Sequence, residues 1–215
     1  MGPDVHFLRM LIEVRRSDKG PAVIYASRIG YLRKLIEKYK VTRTLDALES
    51  KPSPTLPPYS LPAKMMELCY LDDVRADIKF VISFLTMRMH KPTEADDRLA
   101  DHVLGYLRQT TDLRLRFSPE DLQLQAYVNA SYAIHADCRS HHGAFIRLDS
   151  SPFHVKSSSI KTVVRSSIEA EIFAANDLAS DLLWAIDLMT ELGYPQQPVH
   201  VFEVNQAVIQ LLAVI

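Results

Sequence analysis

The feature that most constrains the fold is a change in hydrophobic period near residue 113. Apolar and polar residues alternate over 113–117 and 122–128, and this two-residue period is typical of strands. Over 166–192 the apolar residues recur every three or four positions, which predicts a long amphipathic helix. A short strand at 199–203 and a helix capped by Asn205 follow. This order predicts an α/β (α+β) domain with a mixed sheet and flanking helices.

The first half of the chain predicts a helix-rich segment. The first apolar stretches, 5–14 and 22–25, read as strands, and Ser27 is expected to cap a helix. Five prolines without periodicity mark 48–62 as a linker or surface loop. The remaining predicted elements are helices over 77–90 and 92–109, and strands over 143–148, 153–155 and 160–164. We therefore expect two parts, 1–110 and 111–215.

Composition limits the classes of function. The chain carries 25 Lys and Arg against 26 Asp and Glu, so its net charge of −1 gives no support to a strongly basic nucleic-acid binder. The 47% hydrophobic content suits a globular core, and no apolar stretch approaches the length of roughly 20 residues that a membrane span requires. Two cysteines favour a reducing, intracellular setting, either cytoplasmic or nuclear.

Residues 70–73 match the form of a polymerase motif. Tyr70-Leu71-Asp72-Asp73 has the Tyr-x-Asp-Asp form in which reverse transcriptases present two metal-binding aspartates. That site needs an apolar strand on both sides, whereas the following residues are charged and lead into a predicted helix. A connection between two helices is the better interpretation.

A second cluster has spacings compatible with zinc. His135, Cys138, His141 and His142 are close in sequence, but no second Cys or His pair has ligand spacing. The run around Cys138 favours a polar loop instead.

Two further sets of residues leave alternatives open. Ser166 and Glu169 form a capping-box pattern, and Glu171 lies at the edge of the buried helix face, where it would need an ion-pair partner or a metal. Four basic residues lie near this helix start and would either meet phosphates or line a solvated sheet edge: Arg147, Lys156, Lys161 and Arg165.

Several motifs, in order, are similar to the copia-type retrotransposon Pol polyprotein. The upstream ones are Phe7-Leu8-Arg9-Met10 and Arg75-Ala76-Asp77-Ile78, although the family usually has Gly at Arg9 and Pro at Ala76. The others are Tyr106-Leu107-Arg108-Gln109-Thr110, Tyr127-Val128-Asn129-Ala130-Ser131-Tyr132-Ala133, Ala136-Asp137-Cys138-Arg139-Ser140, Ser166-Ser167-Ile168-Glu169-Ala170-Glu171 and Glu203-Val204-Asn205-Gln206-Ala207.

This resemblance implies a domain order and an activity. Residues 1–110 would be a reverse transcriptase thumb and connection segment, and 111–215 an RNase H-like domain truncated at its C-terminus. The family cleaves the RNA strand of RNA–DNA hybrids with acidic residues around two divalent cations. Its substrate would be the hybrid, its cofactor Mg²⁺, and its partners other Pol segments of the transposable element.

The resemblance also implies a degenerate active site. The first catalytic Asp position is Asn129, the helix glutamate is retained as Glu171, the second Asp position is Val204, and the last acidic position would lie beyond Ile215. Glu203 is expected to point away, because adjacent strand residues face opposite sides. We therefore expect Mg²⁺ not to be bound, hybrid affinity to be weak or lost, and ribonuclease activity to be absent.

Two other functions remain open from the sequence. One is an active RNA–DNA hybrid ribonuclease with an atypical metal site. The other is a host-recruited module that binds nucleic acid or protein through the helices before residue 113 or through the basic strand edge.

Overall fold

A computed structural model describes residues 5–17, 20–40 and 60–212 of the chain. The chain forms two compact units, Met1–Arg116 and Phe117–Ile215. Both units combine helices with a sheet, which confirms the predicted α/β class. In the described ranges, no helix has both the length and the apolar character of a membrane-spanning segment.

The first unit carries a four-stranded sheet in the order β1-β2-β3-β4. Its strands are β1 (Val5–Phe7), β2 (Met10–Ser17), β3 (Gly20–Ser27) and β4 (Leu115–Phe117), the last of which crosses the unit boundary. Its helices are α1 (Ile29–Lys38), α2 (Ser60–Cys69), α3 (Lys79–Thr86) and α4 (Glu94–Gln109), with a 3-10 turn at Ala76–Ile78 before α3.

The helices of the first unit enclose its core. Buried leucines and isoleucines recur on the inner faces of all four helices. Helix α4 begins with a capping box, in which the Thr93 hydroxyl and the Asp96 carboxylate each accept a backbone N–H bond. The largest fully buried side chains of this core are Leu61, Met65, Leu68, Leu71, Leu85, Leu104 and Leu107.

The turn between β1 and β2 explains why a glycine is favourable at position 9. Leu8 and Arg9 connect the two antiparallel strands with φ values of 48° and 61°. A two-residue hairpin turn of this hand needs positive φ at both central positions, which glycine adopts without steric cost.

Replacing Arg9 by glycine is expected to raise the free energy of unfolding of the first unit by about 1 kcal/mol, because the left-handed conformation of a non-glycine residue is relieved. Urea denaturation of the two proteins measures the difference. The matched control is Arg16→Gly, which removes an exposed side chain within strand β2 and should lower stability by a similar amount. Equal losses in both variants would contradict the strain at Arg9.

Three expectations for the first unit were wrong. The strand expected over 5–14 is a hairpin of β1 and β2, since the chain turns at Leu8 and Arg9. Ser27 does not cap α1: it pairs with Leu11 as the last residue of β3, and the helix starts after Arg28 without a side-chain cap. The expected linker over 48–62 ends earlier, since α2 begins at Ser60 and holds Pro62 in its first turn, where a missing N–H costs little. The remaining linker positions up to 59 lie outside the described residues.

The second unit has a mixed sheet in the order β7-β6-β5-β8. Strands β5, β6 and β7 form an antiparallel meander, whereas β8 runs parallel to β5. The long helix α5 packs on one face, against buried residues from β5 and β6. The elements are β5 (Leu124–Ser131), β6 (His141–Leu148), β7 (Ser151–Ser159), α5 (Ser167–Glu191), β8 (His200–Phe202) and α6 (Gln206–Leu212).

The long helix was predicted almost to the residue, whereas one strand was not. Ser166 caps α5 by accepting a bond from the Glu169 N–H, and Asn205 caps α6 through bonds from Ala207 and Val208. The strand expected over 160–164 does not form. Strand β7 instead ends at Ser159, because Ile160 leaves the ladder, buries its side chain and donates its N–H to the Ser140 carbonyl.

Candidate functional site

The candidate site lies where β5 and β8 end, beside the first turns of α5. The two strands are parallel, and their ladder runs from Gln125↔His200 to Tyr127↔Phe202. Parallel strands end at the same edge of a sheet, so Asn129, near the end of β5, and Glu203, just after β8, lie at the same edge. Side chains that serve chemistry collect at such carboxyl edges in α/β folds.

Glu171 is the buried acidic residue of this edge. It is 5% exposed, in the second turn of α5, and accepts a hydrogen bond from the Ala130 backbone N–H at the end of β5. Its Oε2 atom is buried without a hydrogen-bond partner. Burial is the largest cause of the raised pKa of Glu171, and the negative charge of nearby Glu203 raises this pKa further. Glu171 is therefore deeper than the boundary position expected from the helical pattern.

The second carboxylate near Glu171 is that of Glu203, whereas the position expected from the resemblance, 204, holds a valine. Strand β8 ends at Phe202, so the alternation that was expected to turn Glu203 away stops before it. The chain turns there, and Glu203 Oε1 accepts hydrogen bonds from the Val204 and Asn205 N–H groups at 2.8 and 2.9 Å. Glu203 Oε2 is buried without a partner. Val204 itself is 74% exposed.

The expectation that Glu203 points away from the site was therefore wrong. The N-cap residue Asn205 was the available signal, because the residues before a helix cap are commonly in a turn rather than in a strand. Asn129, one of the two positions that the resemblance gave as degenerate, is exposed near the end of β5 and directly precedes Ala130, whose N–H binds Glu171.

The residues at this edge do not fit a two-metal centre. Two divalent cations need several oxygen ligands, whereas the carboxylates at this edge are those of Glu171 and Glu203, and the exposed Asn129 shares the sheet face of Tyr127, away from α5. Among the described residues, no three His, Cys, Asp or Glu side chains converge as metal ligands.

The four basic residues do not form one surface. Arg147 stacks over the Tyr127 ring and bonds Gln125 on the sheet face away from α5. Lys156 lies on the α5 face, where its Nζ atom is 2.7 Å from Asp177 and 2.9 Å from Asp181. Lys161 and Arg165 are exposed after β7. Lys156 is thus neutralised within the fold.

Residues 70–73 form a connection, as predicted. They lie between α2 and the 3-10 turn, and the two aspartates are ion-paired separately. Asp72 is 2.9 Å from Lys79, and Asp73 is 3.2 Å from the buried Arg28. Asp72 therefore links this connection to the start of α3, and Asp73 links it to the residue between β3 and α1.

The histidines weighed as zinc ligands form a buried hydrogen-bonded chain instead. His135 Nε2 lies 3.0 Å from His141 Nδ1, and His141 Nε2 lies 2.7 Å from the Ser157 hydroxyl. His142 bonds the Ser158 hydroxyl at 2.7 Å, and Cys138 is exposed. Burial and the neighbouring histidines lower the pKa of His141 to about 4.

Comparison with known proteins decides what the chain resembles. It is 35% identical over 128 residues, 59% of its length, to the retrovirus-related Pol polyprotein from transposon RE2 of Arabidopsis thaliana, and 34% identical over the same length to that from transposon RE1. The chain is similar to transposon Pol polyproteins. A third such polyprotein, from transposon TNT 1-94 of Nicotiana tabacum, is 28% identical over 138 residues.

The match covers a small part of these Pol polyproteins. The chain spans about a tenth of the length of each of these three polyproteins. No family model matches the chain, and no solved structure matches it. The expected resemblance to transposon Pol polyproteins is therefore confirmed, while the names of these relatives do not say which part of the polyprotein the chain matches.

Proposed function

We propose that the chain is a retrotransposon-derived Pol segment whose second part is an RNase H-like domain without two-metal catalysis. Residues 1–110 would correspond to the thumb and connection of a reverse transcriptase, and 111–215 to the RNase H-like domain. The observation that carries the proposal is the position of Glu171. It is buried beside the end of β5, where Asn129 stands in place of a carboxylate, while Val204 is exposed and offers no ligand.

The charge of the second unit supports weak or lost hybrid binding. From Phe117 to Ile215 it carries eleven Asp and Glu against five Lys and Arg, a net charge of −6. Phosphate backbones are held by cationic surfaces, and one of the basic residues is already paired with two aspartates. The partners that fit this proposal are other Pol segments, and an intracellular site, cytoplasmic or nuclear, agrees with the free Cys69 and Cys138.

The experiment is cleavage of a labelled RNA–DNA hybrid by the full chain in Mg²⁺ and in Mn²⁺. No cleavage above the protein-free control is expected, because two of the carboxylate positions are Asn129 and Val204. Clear cleavage that disappears in a Glu171→Ala variant would overturn the proposal in favour of an active ribonuclease with an atypical metal site. The double variant Asn129→Asp, Val204→Asp tests the assignment of the positions, since tighter Mn²⁺ binding is expected if they border the site.

A further inference from the structure

Asn129, Gly143 and Ser157 form a row across three strands of the second unit. Asn129 pairs with Gly143 between β5 and β6, and Gly143 pairs with Ser157 between β6 and β7. Directly opposite residues of antiparallel strands carry their side chains on the same face of the sheet. The adjacent residues Val128 and Ala144 are buried in the core beneath α5, so the row lies on the other face, which we call the outer face.

Gly143 leaves a gap in the middle of this row. A methyl group at Gly143 would meet the Lys156 carbonyl oxygen at 3.6 Å, an ordinary contact, so a side chain would fit there and the space is open. Neighbouring strands are about 4.8 Å apart, which puts the Cα atoms of Asn129 and Ser157 roughly 10 Å apart. Asn129 is exposed and Ser157 is half-buried. A group the size of an acetyl unit can therefore reach Ser157 from solvent with the Asn129 amide on its other side.

His141 connects Ser157 to a third side chain. Ser157 Oγ lies 2.7 Å from His141 Nε2, and His141 Nδ1 lies 3.0 Å from His135 Nε2. One set of tautomers satisfies both bonds, because the Ser157 hydroxyl donates to His141 Nε2 while His141 Nδ1–H donates to His135. A hydroxyl bonded to a base that a third group orients is the arrangement of a catalytic triad.

The neighbouring pair Ser158 and His142 lacks such an orienting group. Its hydroxyl also lies 2.7 Å from the Nε2 atom, but His142 Nδ1 is buried without a hydrogen-bond partner. Ser158 pairs with His142 across the strands, so both side chains lie on the α5 face and not beside the gap at Gly143. Ser158 is therefore a matched comparison for Ser157.

We propose that Ser157 is a nucleophile for small activated carboxylic esters. His141 is its general base, His135 positions His141, and the Asn129 amide donates to the carbonyl oxygen of the ester. The proposed function does not include this activity, and neither Glu171 nor a metal ion takes part in it.

The reaction takes two steps. Ser157 Oγ forms a bond to the acyl carbon while its proton passes to His141 Nε2, and the Asn129 N–H stabilises the negative charge on the carbonyl oxygen. The bond to the leaving alcohol then breaks, and the alcohol takes the proton from His141. Water attacks the acyl-serine by the same route, which releases the carboxylic acid and restores the Ser157 hydroxyl.

The experiment is incubation of the full chain with p-nitrophenyl acetate. Release of p-nitrophenolate is followed by absorbance, and mass spectrometry locates the acetyl group, which is expected on Ser157. Ser157→Ala should abolish this acetylation, and Asn129→Ala should slow it by roughly 10²–10³-fold, the loss expected for one oxyanion donor. The matched control Ser158→Ala should leave the rate unchanged. Acetyl groups found on other residues and not on Ser157, or a rate unchanged by Ser157→Ala, would overturn the proposal.

The positioning role of His135 has a separate readout in the pH profile. Burial, and repulsion from His135 and His142, hold the pKa of His141 at about 4, and only neutral His141 accepts the proton. The rate should therefore fall as the pH drops through about 4, and His135→Phe should move this acid limb towards 6.5, the ordinary value for histidine. A limb that stays near pH 4 in this variant, with Trp184 fluorescence reporting a folded chain, would contradict the role of His135. Cleavage of an RNA–DNA hybrid would contradict the proposed function and leave the assignment of Ser157 intact.

Discussion

Replacing Leu178 by alanine is expected to lower the free energy of unfolding of the second unit by about 2–5 kcal/mol. Leu178 is 1% exposed, in the middle of α5, and packs with the buried residues of β5 and β6. The substitution removes buried methyl groups and leaves a cavity that the surrounding sheet fills only in part. Urea denaturation monitored by the fluorescence of Trp184, the single tryptophan of the chain and a residue of α5, measures the loss.

The matched control for Leu178 is Leu183→Ala on the same helix. Leu183 is 62% exposed, so the same change of side chain should alter the free energy of unfolding by no more than about 0.5 kcal/mol. Equal effects at the two positions would contradict the assignment of the buried face of α5. A large loss at Leu178 alone would support the one-sided packing of this helix on the sheet.

Acid is expected to destabilise the second unit by up to about 3 kcal/mol between pH 6.5 and pH 4. The pKa of His141 is lowered to about 4 in the folded chain by burial and by His135 and His142, whereas an unfolded histidine has a pKa near 6.5. Between these values the unfolded chain binds more protons, so stability is fully present above about pH 6.5 and falls as the pH approaches 4.

One further group, His142, shapes this pH dependence. Burial lowers the pKa of His142, while Asp177 and Asp181 raise it and Lys156 lowers it. Urea denaturation at a series of pH values measures the slope, and a His141→Gln variant should flatten it. Leu178→Ala is the control, because it should lower the whole curve without changing its shape. A slope that His141→Gln leaves unchanged would contradict a buried, neutral His141.

The sequence was sufficient to predict an element where one hydrophobic period dominated a long segment. Helix α5 was predicted because its apolar stripe repeats over seven turns, and the caps at Ser166 and Asn205 were correct because hydroxyl and amide side chains satisfy free N–H groups at helix starts. Helix α2 was missed because prolines around it suggested a loop. Ser27 was misassigned as a helix cap because its residue type favours capping, whereas in the structure it pairs with Leu11 in the ladder between β2 and β3.

The site was predicted less well than the fold, for a related reason. Glu171 was identified as a boundary carboxylate, but its burial depends on the end of β5, 40 residues earlier in the chain, which no helical pattern contains. The predicted orientation of Glu203 was wrong because β8 ends before this residue, and the length of the strand decides to which face of the sheet the side chain points. The ends of short strands are the element boundaries that a sequence defines least well. Tertiary pairing, rather than local preference, fixes both carboxylates.

The parallel pairing of β5 with β8 also has a consequence for the order of folding. Strands β5, β6 and β7 are joined by short connections, so their antiparallel meander closes only small loops. Strand β8 must return to β5 across about 75 residues, which include the whole of α5. The edge that carries Glu171 and Glu203 is therefore expected to form after the meander, and β5 presents an unpaired strand edge until β8 pairs with it.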